Sequence, residues 1–239
     1  MSGIIVAVLN RSTQVKDASV KALVSALQIQ VSRDFQAAWG IDAQLQWVRE
    51  GGKTPRDAWQ LVVFDSSDQA GALGYHDLTR SGRPLGKVFA GTDRRYGNNW
   101  TITASHELLE MLADPNINLV AFAEDENRLY AYEVCDACEA DAYGYKIDGH
   151  WVSDFVFPGW FEPMHAGRNE RFDFQRKIAR PFGLLHGGYI GIYDIDKGSG
   201  WTQLEARRAR LRYSTRPPVG SRRERRRTPK NQWLLSRTG

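Results

Sequence analysis

Apolar positions change their spacing along the chain, and the changes mark the elements. Residues 3–10, GIIVAVLN, form a continuous apolar run, the pattern of a strand buried on both faces. From Lys16 to Gly40, Val20, Leu23, Val24, Leu27, Val31, Phe35 and Ala38 recur every three or four residues. That spacing predicts a long amphipathic helix, with Asp17 or Ser19 at its start and Gly40 as its stop. AQLQWV (43–48) alternates like a half-buried strand, and AWQLVVFDSS (58–67) is a second apolar strand suited to the middle of a sheet. The opening thus predicts β-α-β-β, with a first crossover long enough for a right-handed parallel unit.

Residues 71–92, GALGYHDLTRSGRPLGKVFAGT, predict two short extended segments around the turn RSGRP. NNWTITASHELLEMLADP (98–115) predicts a helix with Thr101 or Thr103 as N-cap. Asp114-Pro115 stops it, because a residue before proline is pushed out of the α region. From 117 to 165 aromatics, glycines and acids alternate as in strands and turns, and Asp148-Gly149 is a hairpin signal. GLLHGGYIGIYDI (183–195) predicts an apolar segment after tight turns, and WTQLEARRARLRY (201–213) reads as a basic helix leading into an arginine-rich tail.

Composition adds that 42% hydrophobic residues with eight Trp suit a packed core and exclude a disordered chain. No run reaches the ~18 apolar residues of a membrane span, and the N-terminus lacks the basic region and cleavage site of a signal peptide. Cys135 and Cys138 are the only cysteines, so no disulfide framework exists. The expected location is the cytoplasm or a virion, without membrane attachment. The net charge of +4 conceals a division: residues 201–239 carry twelve basic residues against Glu205 and Glu224, and residues 1–200 carry 20 basic against 26 acidic. An acidic body with a basic tail follows. RRERRR (222–227) is the candidate contact for nucleic acid or an acidic protein surface, through charge alone.

The chemistry concentrates in SHELLE (105–110), one letter from H-E-x-x-H. On a helix His106 and Glu110 are four apart, about 6 Å along the axis and on one face, so an imidazole and a carboxylate can meet one cation. Glu107 lies about 100° round, where a carboxylate can activate a metal-bound water. Zn²⁺ accepts carboxylate oxygen as well as imidazole nitrogen, and the added negative charge opens the site to Ca²⁺ or Mn²⁺. Asp114 shares the stripe but lies about 12 Å along the axis, too far to join. The remaining ligand is expected from YEVCDACEAD (132–141), with Glu133 and Asp136 as first choices. His76, His150, His165 and His186 are scattered and read as ordinary surface or core histidines. The C-x-x-C of Cys135 and Cys138 lacks the second pair of a zinc ribbon and the basic neighbours of a redox thiol, so the cysteines read as structural.

The pattern S-H-E-x-x-E-x-x-x-D-P followed by E-x-x-D-x-C, at residues 105–115 and 133–138, resembles that of a group of bacterial and phage proteins. More distantly it is similar to the plant phosphate-induced (exordium-like) proteins and related secreted microbial proteins. The resemblance runs over roughly residues 70–165 and singles out His106, Glu107, Glu110, Asp114, Pro115, Glu133 and Asp136. It implies a zincin-like, metallopeptidase-like domain of the α/β (α+β) class. In that architecture a mixed sheet backs the H-E-x-x-E helix, and GKVFAGT (86–92), just before the helix, supplies the antiparallel edge above a peptide-binding cleft. The expected organisation is a zincin-like domain over 1–200 (1–115 with the sheet and helix, 116–200 β-rich) and a basic extension over 201–239. The expected function is a metal-binding, zinc-dependent hydrolase of peptide bonds, with metal on His106 and Glu110, completed by Glu133 and/or Asp136, and Glu107 as general base. The alternative is a non-enzymatic structural or binding protein, such as a virion component, that keeps the fold.

Overall fold

The computed structural model describes residues 3–69, 72–162, 170–198, 200–206, 212–215 and 233–236. Five strands form the first sheet: β1 (Ile4–Asn10), β2 (Ala43–Val48), β3 (Trp59–Phe64), β4 (Gly74–Leu78) and β5 (Pro84–Phe89), in the order β2-β1-β3-β5-β4. β1, β2, β3 and β5 run parallel, and β4 pairs antiparallel with β5 at the edge. The expected edge strand was therefore one element too late in the chain. GKVFAGT lies largely inside the sheet, paired parallel with β3, and the five-residue link 79–83 allows only an antiparallel hairpin with β4 on its other side. Its last residues, from Ala90, turn into a short helix, α3 (Ala90–Tyr96).

The long helix is α1 (Asp17–Ile29), continued through a wide π-helical turn at Gln30–Phe35 and α2 (Gln36–Trp39) to Gly40, whose φ of 67° ends it. Next comes α4 (Trp100–Ala113), capped by Asn99, whose side chain accepts the Thr101 N–H, and not by either threonine. Helices α1 and α4 pack on one face of the sheet through Val6, Val8, Leu23, Leu27, Leu61, Val88, Leu108 and Leu109. Ala7, Leu9, Val48, Ala58 and Val62 form a smaller cluster with the opposite face.

The second half is β-rich. β6 (Val120–Ala123), β7 (Arg128–Ala131), β10 (Tyr189–Asp194) and β11 (Trp201–Glu205) make an antiparallel sheet in the order β11-β10-β7-β6. The hairpin of β8 (Tyr145–Ile147) and β9 (His150–Val152) turns at Asp148 and Gly149, both at positive φ (47° and 82°), as Asp-Gly predicts. β11 corrects the expected basic helix: Trp201 pairs with Tyr193 and their rings meet edge-on at 5.9 Å, so residues 201–205 close a hairpin instead. β12 (Arg212–Thr215) pairs antiparallel with β13 (Trp233–Ser236). The arginine cluster 222–227 lies outside the described residues. No described helix is long and apolar enough to cross a membrane.

Both halves contribute to one continuous core, in which Trp160, Phe155 and Tyr130 are buried together with the α4 leucines. A buried polar network also joins them. Gln30 donates to Ser153 O (2.9 Å) and Tyr145 Oη (3.1 Å) and accepts from Ser105 (2.6 Å), which in turn accepts from Ser153 N (2.9 Å). The π-turn thus faces α4 with a side chain able to fix it one residue before His106, and the network leaves no donor of Gln30 wasted.

Candidate metal centre

Every residue of α4 from Thr101 to Ala113 is buried. A helix enclosed on all sides should be apolar all round, yet this one carries Thr101, Thr103, Ser105, His106, Glu107 and Glu110. Each such group requires a partner. Thr101 finds Trp151 O, Thr103 finds Asp93 and Ser105 finds Gln30. His106, Glu107 and Glu110 meet an assembly of other ionisable groups.

The loop after β7 brings up the first of these. Cys135 N donates to Glu110 Oε1 (3.2 Å), which holds the loop on the helix. A single 3₁₀ turn at Asp136–Cys138 then aims Asp136 at the site. His106 Nε2 lies 3.3 Å from Glu110 Oε1 and 3.3 Å from Asp136 Oδ1. Two ligands about 2.1 Å from one ion at a tetrahedral angle are about 3.4 Å apart, so these three residues have the spacing of a shared ion. His106, Glu110 and Asp136 could hold a metal ion, and all three are buried.

Glu133 does not join that group. It is buried and turned to the other side of Glu110, where its Oε2 lies 2.8 Å from His76 Nε2. His76 is 1% exposed and also 4.0 Å from Glu110 Oε2, so His76, Glu110 and Glu133 make a second potential metal group. His76, read from the sequence as a surface or core histidine, is a core one, and the fold sets it beside Glu110 and Glu133. Its signal was the alternation in GYHDL: on β4, Gly74 and His76 share a face, and that face lies against α4. Asp114 is buried at the helix end, where its carboxylate accepts the N–H groups of Asn118 and Leu119, and it holds the turn.

Glu107 is buried in a slot between the sheet and the helix. A Cβ on Gly74 would lie 2.6 Å from Glu107 Oε1, and one on Gly86 would lie 3.6 Å from Glu107 Cβ. The glycines of β4 and β5 therefore give this carboxylate its room. Glu139 and Tyr189 complete the surroundings. Burial, with Asp136 beside it, pushes the Glu139 carboxyl up to about 8. Burial and then Asp136, Glu139, Glu110 and Glu107 hold the Tyr189 phenol well above its usual range.

Among the described residues, Glu107, Glu110, Glu133, Asp136 and Glu139 gather around the imidazoles of His76 and His106. Burial and then Asp136 push Glu110 up to about 8. Burial opposes the charged form of His106, but Glu110 and Asp136 outweigh it and raise the imidazole well above its usual range. Protons are thus retained where a cation would otherwise supply the positive charge. Burial raises both thiols, Cys135 and Cys138, well above the usual range, which suits inert core cysteines.

The turn bearing Asp136 is fixed from behind. A Cβ on Gly188 would sit 2.3 Å from Ala137 O and 3.0 Å from Asp136 O, backbone atoms that cannot rotate away. Gly188→Ala is expected to cost about 1–3 kcal/mol of stability through overpacking and to weaken metal binding by moving Asp136. Thermal melts and metal titration check this; a variant with wild-type values in both would show that the contact does not set the turn. No protein-family model, no curated protein and no solved structure matches this chain.

Proposed function

We propose that the protein is a metal-dependent hydrolase of the metallopeptidase-like kind, with a divalent cation on His106, Glu110 and Asp136 and Glu107 as general base. The observation that carries this reading is the 3.3 Å spacing of His106 Nε2 from both Glu110 Oε1 and Asp136 Oδ1 inside a buried site rich in carboxylates. Two carboxylates and one imidazole suit Zn²⁺ or Mn²⁺. Such an ion supplies Lewis acidity and lowers the pKa of a bound water. Glu107, one residue from the ligand His106 but outside both potential metal groups, is suited to take that water's proton.

A peptide substrate is supported by β4. Among the described residues no strand pairs with its outer side, and its Gly74 lies against Glu107. An extended peptide added to that edge would run past the base. The mixed sheet with an antiparallel edge beside the His-Glu helix is the arrangement a zincin-like domain requires, and it supports that fold assignment. A second reading is favoured by the burial of the site, where Glu107 and Glu110 are 5% and 3% exposed. In this reading the ion is structural and ties α4 to the 133–138 loop.

Metal analysis of the purified wild type and of His106→Ala, beside a peptide-hydrolysis assay, tests the proposal. The expected result is bound Zn²⁺ or Mn²⁺ in the wild type, its loss in His106→Ala, and hydrolysis that follows the metal. A wild type that binds no divalent metal sinks both readings; metal without hydrolysis leaves the structural one.

A further inference from the structure

We infer that the centre takes two divalent cations, bridged by Glu110. This inference rests on the metal-site reading above and extends it to a second ion, held by His76, Glu133 and the far oxygen of Glu110. The two potential groups share Glu110 but meet different atoms of it. Oε1 faces His106, and Oε2 faces His76. A carboxylate with its two oxygens on different ions places them about 4 Å apart, the separation of two-metal hydrolytic sites.

The ligands come from three separate parts of the chain, so a pair of ions would cross-link them. α4 supplies His106 and Glu110, β4 supplies His76, and the loop after β7 supplies Glu133 and Asp136. His76 and Glu133 are 2.8 Å apart, a hydrogen-bond distance, and a cation between them takes the place of the proton and opens the pair to about 3.4 Å. His76 and Glu133 are both nearly inaccessible, at 1% and 4% exposure. The second ion would lie on the β4 side of Glu110, and His76 stands two residues along the same strand face from Gly74, which lies against Glu107. A water held between the ions would thus be near the proposed base.

The test is titration of metal-stripped full-length protein with Mn²⁺, followed by metal counting and electron paramagnetic resonance. The wild type is expected to bind two equivalents, and the isolated-ion spectrum of the first is expected to give way to an exchange-coupled one as the second enters. His76→Ala and Glu133→Gln are each expected to bind one equivalent with an isolated-ion spectrum. Circular dichroism identifies a variant that has failed to fold; the wild-type spectrum then decides with the other variant. Saturation at one equivalent overturns the second ion and leaves the single-ion hydrolase standing. Two equivalents without coupling, or two that persist in folded His76→Ala and Glu133→Gln, place the second ion elsewhere and also overturn it. No bound Mn²⁺ or Zn²⁺ at all removes both proposals.

Discussion

Glu107→Gln is expected to keep its metal and lose peptide hydrolysis by about 10²–10⁴-fold, the usual share of a positioned general base. The substitution keeps the volume and shape of the side chain, so the slot beside Gly74 and Gly86 remains filled. It removes the carboxylate's charge and with it the ability to accept a proton. Glu107 belongs to neither potential metal group, so metal content should not change. kcat should fall with little change in KM, because proton transfer belongs to the transition state and not to substrate binding. A variant that hydrolyses at the wild-type rate would remove Glu107 from the mechanism. A variant that loses its metal would make it a ligand instead.

The opening of the chain was legible because period and burial coincide there. β1 is apolar throughout and lies in the middle of the sheet, and the three- and four-residue spacing from Val20 to Phe35 lies on the sheet face of the helix. The Asp148-Gly149 turn was legible because its two residues tolerate positive φ. What was not legible depended on pairing partners. Periodicity identified the extended segments at 71–92 but not which of them would be the antiparallel edge. Trp201–Glu205 carries helix formers in Gln203, Leu204 and Glu205, yet pairing with Tyr189–Tyr193 decides its state. Propensity is a weak prior beside such tertiary contacts.

The site divides in the same way. His106, Glu110 and Asp136 could be found because a helix fixes the first two at i and i+4 and the acid-rich loop offered the third. His76 could not be found by local spacing, since its partner Glu133 is 57 residues away and only the fold brings them together. Its one local trace was the shared strand face with Gly74, and a glycine facing a helix is more readily read as room for backbone than as room for a carboxylate.

Asp154→Asn is expected to remove a large part of the pH dependence of stability, and it does so away from the metal centre. Asp154 and Asp173 are both fully buried. Asp154 Oδ1 accepts the N–H groups of Phe155 (2.8 Å) and Gln175 (3.1 Å), and Asp173 accepts those of Lys177 (2.9 Å) and Ile178 (2.8 Å). What remains is Asp154 Oδ2, which lies against the Asp173 carboxyl. Burial, then the hydrogen bond to Asp173, pushes the Asp154 carboxyl up to about 8. The folded state therefore holds a proton that the unfolded chain releases above about pH 4. The stabilisation is complete below that point and declines as pH rises to about 8, by up to about 1.4 kcal/mol per pH unit. Asparagine keeps the carbonyl that accepts both N–H groups and donates permanently from its amide to Asp173. Asp154→Asn should thus match the wild type only below about pH 4, within about 1 kcal/mol for its extra amide hydrogen, and exceed it by a margin that widens from pH 5 to pH 8.5. Denaturant unfolding of both proteins from pH 5 to 9 gives the comparison, and parallel curves would mean that Asp154 and Asp173 share no proton.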